Sequence, residues 1–89
     1  MELEKIRIFL AVAESRSFSE AARRLYISHS TTSRAVAALE DELGVRLIDR
    51  EENHITGLTA AGELLKDGGA TLLRQASELA QECANLKER

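Results

Sequence analysis

A short stretch near the middle of the chain carries polar side chains at the spacing of one helix face. The face points away from the apolar stripe of the same predicted helix and consists of His29, Ser30, Ser33, Arg34 and Ala37. An arginine can form two parallel hydrogen bonds with a guanine edge, and imidazole or hydroxyl groups can meet other base edges or phosphates. Because the other side chains are small, the helix could enter a major groove about 12 Å wide. This face therefore favours the reading of double-stranded DNA.

The alternative interpretation of the face is an ordinary solvated helix surface. Such surfaces usually carry Glu and Lys, whereas this one has neither before Glu40. Other site chemistry finds little support, since His29 and His54 lack a third ligand at metal spacing and Cys83 lies in an apolar stripe. Ser33 has no base placed to activate it, and the chain has no glycine-rich phosphate loop. We therefore expect no enzymatic activity, no metal and no cofactor.

The charge balance, taken alone, opposes nucleic-acid binding, because the formal net charge is −3. The distribution matters more than the sum. The stretch from Arg16 to Arg34 also contains Arg23 and Arg24, and its one acid is Glu20. The sequence therefore predicts a locally basic surface on an acidic protein, with weak non-specific affinity for DNA.

The polar face belongs to the second helix of a predicted helix-turn-helix. Ser17 and Glu20 have the spacing of a capping box, which starts the first of these helices. Ser28 is the expected N-cap of the second, and Gly44 follows its last residue, where a left-handed conformation ends many helices. The second helix should direct four side chains inward: Thr32, Val36, Leu39 and Leu43.

A helix over residues 3–14 precedes this unit and carries two apolar stripes. One stripe suits a single core. The second contains Ile8 and Val12, and two explanations remain open for it. It contacts a partner chain, or the helix is sunk deeply in the core of its own domain.

The region after Gly44 predicts a β-ribbon. Residues 45–50 read as a strand, residues 51–54 as a polar turn and residues 55–58 as a returning strand. A two-stranded ribbon after a helix-turn-helix is a wing. The expected fold is mainly α, a winged helix-turn-helix of three helices plus a two-stranded wing, followed by a long linker helix.

The linker helix, from residue 59 onward, continues a seven-residue repeat of leucine that consists of Leu58, Leu65, Leu72, Leu79 and Leu86. Small residues follow each of the first four leucines by four positions, so two helices could approach closely along this seam. We expect a homodimer interface there; packing of the helix on its own domain is the alternative. The expected interface residues are Ile8, Val12, Leu65, Gly69, Leu72, Ala76, Leu79, Cys83 and Leu86.

Composition agrees with a soluble, cytoplasmic protein. The apolar content is 44%, whereas the aromatic content is only 3% and proline is absent, which favours close-packed helices. No apolar run reaches the roughly 20 residues that cross a bilayer, no signal peptide follows Met1, and the single cysteine cannot form an intrachain disulfide.

Four segments together give a specific resemblance that covers essentially the whole chain. The segments are residues 17–25 (SFSEAARRL), residues 28–34 with Ser28-His29-Ser30 and Ser33-Arg34, residues 38–50 (ALEDELGVRLIDR) and residues 58–62 (LTAAG). The chain thus resembles the N-terminal region of LysR-type transcriptional regulators. The resemblance implies a third helix in the major groove, a wing tip near the minor groove and linker helices that pair antiparallel in the dimer.

Carried over residue by residue, the resemblance implies roles for individual side chains. The residues implied to read bases are His29, Ser30, Thr31, Ser33 and Arg34. The residues implied to contact phosphate or to act in the wing are Ser17, Ser19 and Arg50. The implied DNA site is pseudo-palindromic, with half-sites one helical turn apart or a multiple of it.

The chain departs from the pattern of the family in three respects. His29 stands where glutamine is usual, and the wing is about one residue longer and carries Glu51 and Glu52 where basic residues are common. The family's effector-binding domain is absent, so we expect part of a longer regulator or a truncated one. Residues 1–58 would be the DNA-binding domain and residues 59–89 the dimerisation helix, with any small-molecule effector bound elsewhere.

Two functions of different classes follow. The first is sequence-specific binding of double-stranded DNA as a homodimer. The alternative is an interaction module that titrates a full-length relative by forming heterodimers through its linker helix. The acidic wing and the absent effector domain motivate that alternative.

Overall fold

The computed structural model describes residues 1–87 and has the predicted fold class. The elements are α1 (Leu3–Ser15), α2 (Phe18–Leu25), α3 (His29–Leu43), β1 (Ile48–Glu51), β2 (His54–Leu58) and α4 (Ala60–Asn85). The helix α1 packs against α2, α3 and α4, and the two strands form an antiparallel ribbon. Within residues 1–87, no helix has the length and apolar character needed to cross a membrane.

The ends of the helices follow from local side-chain and backbone hydrogen bonds. Ser17 Oγ accepts a hydrogen bond from the Glu20 amide at 3.0 Å, and Ser28 Oγ accepts one from the Thr31 amide at 3.0 Å, which confirms both predicted N-caps. Gly44 ends α3 in the left-handed conformation at φ 73°, also as predicted. In a capping box the Glu20 carboxylate would accept a hydrogen bond from the Ser17 amide. Here it pairs with Arg23 at 2.8 Å instead.

The core lies where α1 crosses the helix-turn-helix. Phe9 of α1 shares one apolar cluster with Val36 and Leu39 of α3. Ile8 is 4% exposed and Val12 is fully buried, so both lie in the core of their own chain. The expectation that these two residues contact a partner is corrected, because neither leaves enough surface for such a contact.

The inner face of α3 agrees with the sequence pattern except at its last residue. Thr32, Val36 and Leu39 are fully buried, as expected. Leu43 is 40% exposed. The difference arises because α3 ends at Leu43, where Gly44 turns the chain away and nothing covers the side chain from beyond.

The wing is joined to α3 by the carboxylate of Glu40, which is 13% exposed. Glu40 Oε2 accepts hydrogen bonds from the amides of Leu47 at 2.8 Å and Ile48 at 3.3 Å. The strand β1 begins at Ile48 and not at residue 45 as predicted, since Ile48 pairs with Leu58, where β2 ends. The carbonyl oxygen of Leu47 accepts from the Thr59 amide at 3.1 Å, which ties the start of α4 to the same point.

The register of the ribbon shifts once. Asp49 pairs with Gly57 and Arg50 pairs with Ile55, so residue 56 has no partner on β1. Such a β-bulge accommodates one extra residue in one strand. On the near side of the bulge, Ile48 still pairs with Leu58.

The helix α4 divides into a packed first half and an exposed second half. Gly62 and Gly69 are buried, and a methyl group added at Gly69 would lie 2.8 Å from Ile6 Cγ2. Leu65 is half-buried and packs against the core cluster. Leu65 and Gly69 contact the core and α1 of their own chain, and both also line an apolar groove beside this half of the helix, so their place in a dimer interface stays a prediction.

The second half of α4 leaves the body of the domain. Leu72 is 42% exposed, Leu79 is 61% exposed and Leu86 is 85% exposed. Cys83 is also exposed, and Ala76 is half-buried. The overall dimensions of 56 × 26 × 19 Å reflect this projecting helix.

The two glycines Gly62 and Gly68 give a matched test of the packing of α4. An alanine methyl at position 62 would overlap the Leu47 carbonyl oxygen, whereas nothing lies within 4 Å of one at position 68. We expect Gly62→Ala to lower the free energy of unfolding by about 1–3 kcal/mol and Gly68→Ala to raise it by up to about 1 kcal/mol. Urea unfolding followed by circular dichroism measures both, and equal effects would contradict the packing described.

The attachment of the wing through Glu40 is tested by two substitutions. Glu40→Ala leaves the Leu47 and Ile48 amides without their acceptor, so the free energy of unfolding should fall by about 1–3 kcal/mol. Glu40→Gln retains an acceptor oxygen and should be milder. Thermal unfolding of the two variants provides the comparison, and the attachment is refuted if alanine is no worse than glutamine.

Candidate nucleic-acid interface

The outer face of α3 is exposed over its first two turns. His29, Ser30, Thr31 and Arg34 are exposed and Ser33 is half-buried. Ala37 continues this face with a small side chain that is also exposed. The structure thus brings together on one surface every residue that the sequence predicted to read bases; their contact with DNA stays a prediction.

The hydroxyl groups at the start of α3 form a small network. Ser28 Oγ donates to Thr31 Oγ1 at 2.9 Å and lies 3.3 Å from Ser30 Oγ. Thr32 Oγ1 turns inward and donates to the Ser28 carbonyl at 2.9 Å. Ser30 and Thr31 therefore stand at the exposed N-terminal end of the helix, where the positive end of the helix dipole favours anionic groups.

Arg34 is the exposed cation at the centre of this face. None of the ion pairs found among residues 1–87 includes its guanidinium. It borders a groove between α1 and α3, and Asp41 borders the same groove about two turns further along α3. Its five donors thus remain available for an external acceptor.

The acids of α1 that border the same groove are held by neighbouring bases. Lys5 Nζ donates to Glu2 at 2.6 Å, and the guanidinium of Arg7 donates to both carboxylate oxygens of Glu4, at 2.7 and 3.1 Å. These hydrogen bonds lower the pKa of the Glu2 and Glu4 carboxyls below the usual value. Their charges are therefore locally compensated beside α3.

The arginines of α2 differ from Arg34. Arg23 pairs with Glu20 at 2.8 Å, and Arg24 lies 3.5 Å from Glu14 and 3.7 Å from Glu20. The locally basic surface predicted from the sequence is consequently smaller than the count of arginines implied. Exposed pairs of this kind contribute little to stability, but they reduce the local positive field.

A cleft of about 300 Å³ lies between the start of α2 and the wing. Ser19 is exposed at this cleft, while Ser17 Oγ is occupied as the N-cap of α2. The cleft is lined by Arg16, Ser17, Phe18, Ser19, His29, Asn53, His54 and Ile55. The two serines predicted to contact phosphate thus share one concave surface with the start of α3.

Arg50 is directed toward the protein and not toward the tip of the wing. Its guanidinium lies 4.9 Å from the centroid of the Phe18 ring and 4.0 Å from Glu40 Oε1. Contact of Arg50 with phosphate stays a prediction, since part of its side chain remains exposed.

The sequence interpretation missed two residues that lie against the predicted DNA-binding side chains. Phe18 lies against His29 and Arg50, and Glu40 lies against Arg50. The Phe18 ring lies 6.1 Å from the His29 ring and also below the Arg50 guanidinium. An aromatic residue at the first position of α2, in a chain with only two phenylalanines, was the available signal. For Glu40 the signal was its position directly after the buried Leu39, next to the inner face of α3.

The tip of the wing is acidic and exposed. Glu51 and Glu52 are both exposed, and Glu52 turns the chain with φ 55°. The residue that follows them, Asn53, is uncharged and exposed. Among the residues of the turn, no side chain supplies the fixed positive charge that phosphate contacts usually require.

Comparison with curated proteins gives regulators that are longer than this chain. A stretch of 65 residues is 46% identical to an uncharacterised HTH-type transcriptional regulator of Azotobacter vinelandii and covers 73% of this chain and 44% of that protein. A stretch of 73 residues is 42% identical to the HTH-type transcriptional regulator HdfR of Escherichia coli O139:H28 and covers 82% of this chain but 26% of that regulator. The chain thus spans less than half the length of these relatives.

Comparison with solved structures gives close matches over nearly the whole chain. The complex of the BenM DNA-binding domain with benA site 1 DNA matches with a TM-score of 0.90 and 31% identity, over 98% of this chain and 100% of that one. The CbnR DNA-binding domain in its DNA complex matches with a TM-score of 0.89 and 34% identity, over 96% and 97%. Full-length OxyR C199D from Pseudomonas aeruginosa matches with a TM-score of 0.92 and 32% identity, over 99% of this chain and 30% of that one.

The family model that matches the chain agrees with these relatives. It is described as the bacterial regulatory helix-turn-helix protein, lysR family, and it matches residues 3–63, from the start of α1 to the first turn of α4. The match includes the helix-turn-helix, the wing and the exposed face of α3. This chain belongs to the lysR family of bacterial regulatory helix-turn-helix proteins.

Proposed function

We propose that this chain is the DNA-binding part of a LysR-type transcription regulator and that it binds double-stranded DNA sequence-specifically as a homodimer. The observation that carries the proposal is the outer face of α3, where small polar side chains surround Arg34. No ion pair within residues 1–87 includes the guanidinium of Arg34. Membership of the lysR family supports DNA binding, as do the DNA complexes of similar domains. The relatives named above are regulators and not enzymes.

Recognition begins with the N-terminal half of α3 in a major groove. The exposed hydroxyls of Ser30 and Thr31 lie at the helix end nearest the duplex, where they can meet base edges or phosphates. Arg34 lies one turn further along and can donate two hydrogen bonds to a guanine. Ala37 keeps the next turn small, so that the helix can lie deep in the groove.

The wing adds little to recognition in this proposal. Glu51 and Glu52 are exposed at its tip, and the phosphates beside a minor groove would repel both carboxylates. Ser17, Ser19 and Arg50 remain the proposed contacts to phosphate near the wing. Most of the specificity then falls on α3 and on the geometry of the dimer.

The second half of α4 supplies the dimer interface in our proposal, through antiparallel pairing with the same helix of a partner. The exposed leucines Leu72, Leu79 and Leu86 recur every seven residues, and the small residues Ala76 and Cys83 lie between them. Pairing would cover apolar surface that one chain leaves in water. It would also present two copies of α3 to a pseudo-palindromic site, with half-sites one helical turn apart or a multiple of it.

The apolar interface of the proposed dimer extends beyond α4. A groove of about 490 Å³ lies beside the first half of α4 and is lined mainly by apolar side chains. Leu64 is 75% exposed at this groove, and Met1 and Val45 border it.

Cytoplasmic location also belongs to the proposal, as does the binding of a small-molecule effector in another domain of the whole regulator.

The role of Arg34 is tested by its replacement with alanine. A duplex bound by the wild-type protein is first selected from a randomised pool. Arg34→Ala should then weaken binding to it by about 1–3 kcal/mol and relax the preference at one base pair. Fluorescence anisotropy measures the affinity. Arg74→Ala is the control, because this substitution removes the same charge from α4, away from the outer face of α3. Equal behaviour of the two variants would refute base reading by Arg34.

The dimer is tested by a charge placed on the leucine seam. Leu79→Glu should convert the dimer to a monomer, because a buried carboxylate would be desolvated without a partner, and it should weaken binding to a two-half-site duplex at least about tenfold. Ser77→Glu is the control, since residue 77 lies about 200° around the helix from residue 79. Sedimentation velocity measures the assembly; a monomeric wild type, or a dimeric Leu79→Glu variant, would contradict the seam.

The same experiments separate the alternative function. A chain that dimerises but binds neither the random pool nor a selected duplex at low salt would favour the interaction module. A full-length relative that forms heterodimers with it would then be its partner.

A further inference from the structure

The two histidines of this chain meet at one cleft, although 25 positions separate them. His29 begins α3 and His54 begins β2, and both line the cleft of about 300 Å³ between α2 and the wing. Both are exposed. Arg16, from the turn between α1 and α2, lines the same cleft. Three elements that are distant in sequence thus contribute one fixed and two titratable cations to one concave surface.

The charges around the cleft favour an anion. No Asp or Glu is among the described residues that line it. The acid of α2, Glu20, is paired with Arg23 at 2.8 Å and lies 3.7 Å from Arg24. Glu51 faces His54 across the ladder, and Glu52 borders His54 on the side of the wing tip. Neither of these two carboxylates lines the cleft.

His29 is held at the cleft by aromatic contact. Its ring lies 6.1 Å from the Phe18 ring with an interplanar angle of 46°. The Arg50 guanidinium lies over the same Phe18 ring at 4.9 Å, and Glu40 Oε1 lies 4.0 Å from it, so the charge of Arg50 near this wall is partly compensated. Since His29 is the first residue of α3, its imidazole stands beside the helix end whose free amides attract anions.

We infer that this cleft binds a backbone phosphate of DNA and that the protonation of His29 and His54 sets the strength of that contact. The inference rests on the proposed function, since it concerns the same DNA-facing surface. Imidazole gains a proton between pH 8 and pH 5 and then donates hydrogen bonds from both ring nitrogens. Each imidazole takes its proton from a buffer acid or hydronium in the solvent, so that one N–H bond forms as the donor acid loses its own, and no other covalent bond changes. DNA affinity therefore rises as the pH falls.

The inference is tested on a random-sequence duplex, which isolates phosphate contacts from base reading. In phosphate-free buffer at constant ionic strength, the wild-type protein should bind about tenfold more tightly at pH 6 than at pH 8. The His29→Gln/His54→Gln variant lacks every imidazole of the chain and should change less than about twofold. Fluorescence anisotropy gives the affinities, and circular dichroism at both pH values confirms that each protein is folded.

A salt titration distinguishes phosphate contact from a structural effect of the histidines. The slope of log K against log salt should be steeper at pH 6 than at pH 8 by about 0.9 for each imidazole that neutralises a phosphate. The double variant should show one slope at both pH values. His54→Lys, which keeps a fixed charge at the wing, should bind more tightly than wild type at pH 8 and lose part of the pH dependence.

The outcomes separate this inference from the proposed function. Tight DNA binding with the same pH dependence in the wild type and the double variant overturns the cleft and leaves the proposed function intact. Failure of the wild type to bind any duplex at either pH overturns the proposed function itself. A pH dependence that the double variant loses, without a change of salt slope in the wild type, also overturns phosphate contact.

Discussion

The carboxylate of Glu40 joins α3 to the wing and, through Leu47, to the start of α4. It lies on α3 and accepts hydrogen bonds from the Leu47 and Ile48 amides, which fixes the start of the wing against that helix. The Leu47 carbonyl in turn receives the Thr59 amide at the start of α4. One short network of hydrogen bonds therefore links α3, the wing and α4. The orientation of each of these elements is constrained by the other two.

The arginines near α3 and the wing differ in their partners. Arg50 lies between Glu40 and the Phe18 ring, so it serves the packing of the wing, and Phe18 also contacts His29. Arg34 alone among the arginines of α2 and α3 has no ion pair within residues 1–87. With an acidic wing and a net charge of −3, affinity for DNA cannot come from a broad basic surface. In the proposed function it comes from a few groups such as Arg34 and from their duplication in the proposed dimer.

The leucine repeat of α4 extends beyond the part of the helix that packs on the core of the domain. Gly62 and Gly69 allow the first half to approach Leu47 and Ile6 closely, and a side chain at either position would separate the helix from the core. Beyond Leu72 nothing within the described chain covers the repeat. A single pattern of spacing therefore supplies both an internal contact and the apolar seam proposed for a partner.

Local spacing in the sequence predicted the helices, their caps at Ser17, Ser28 and Gly44, and the polar face around Arg34. These predictions were possible because helices and caps depend on residues three or four positions apart in the chain. The folded structure was needed to show that Ile8 and Val12 are core residues, that Arg50 lies against Phe18 and that His29 and His54 share a cleft. Those facts depend on distances between elements that are far apart in sequence, and no local spacing encodes which of several apolar or charged neighbours a folded chain brings into contact.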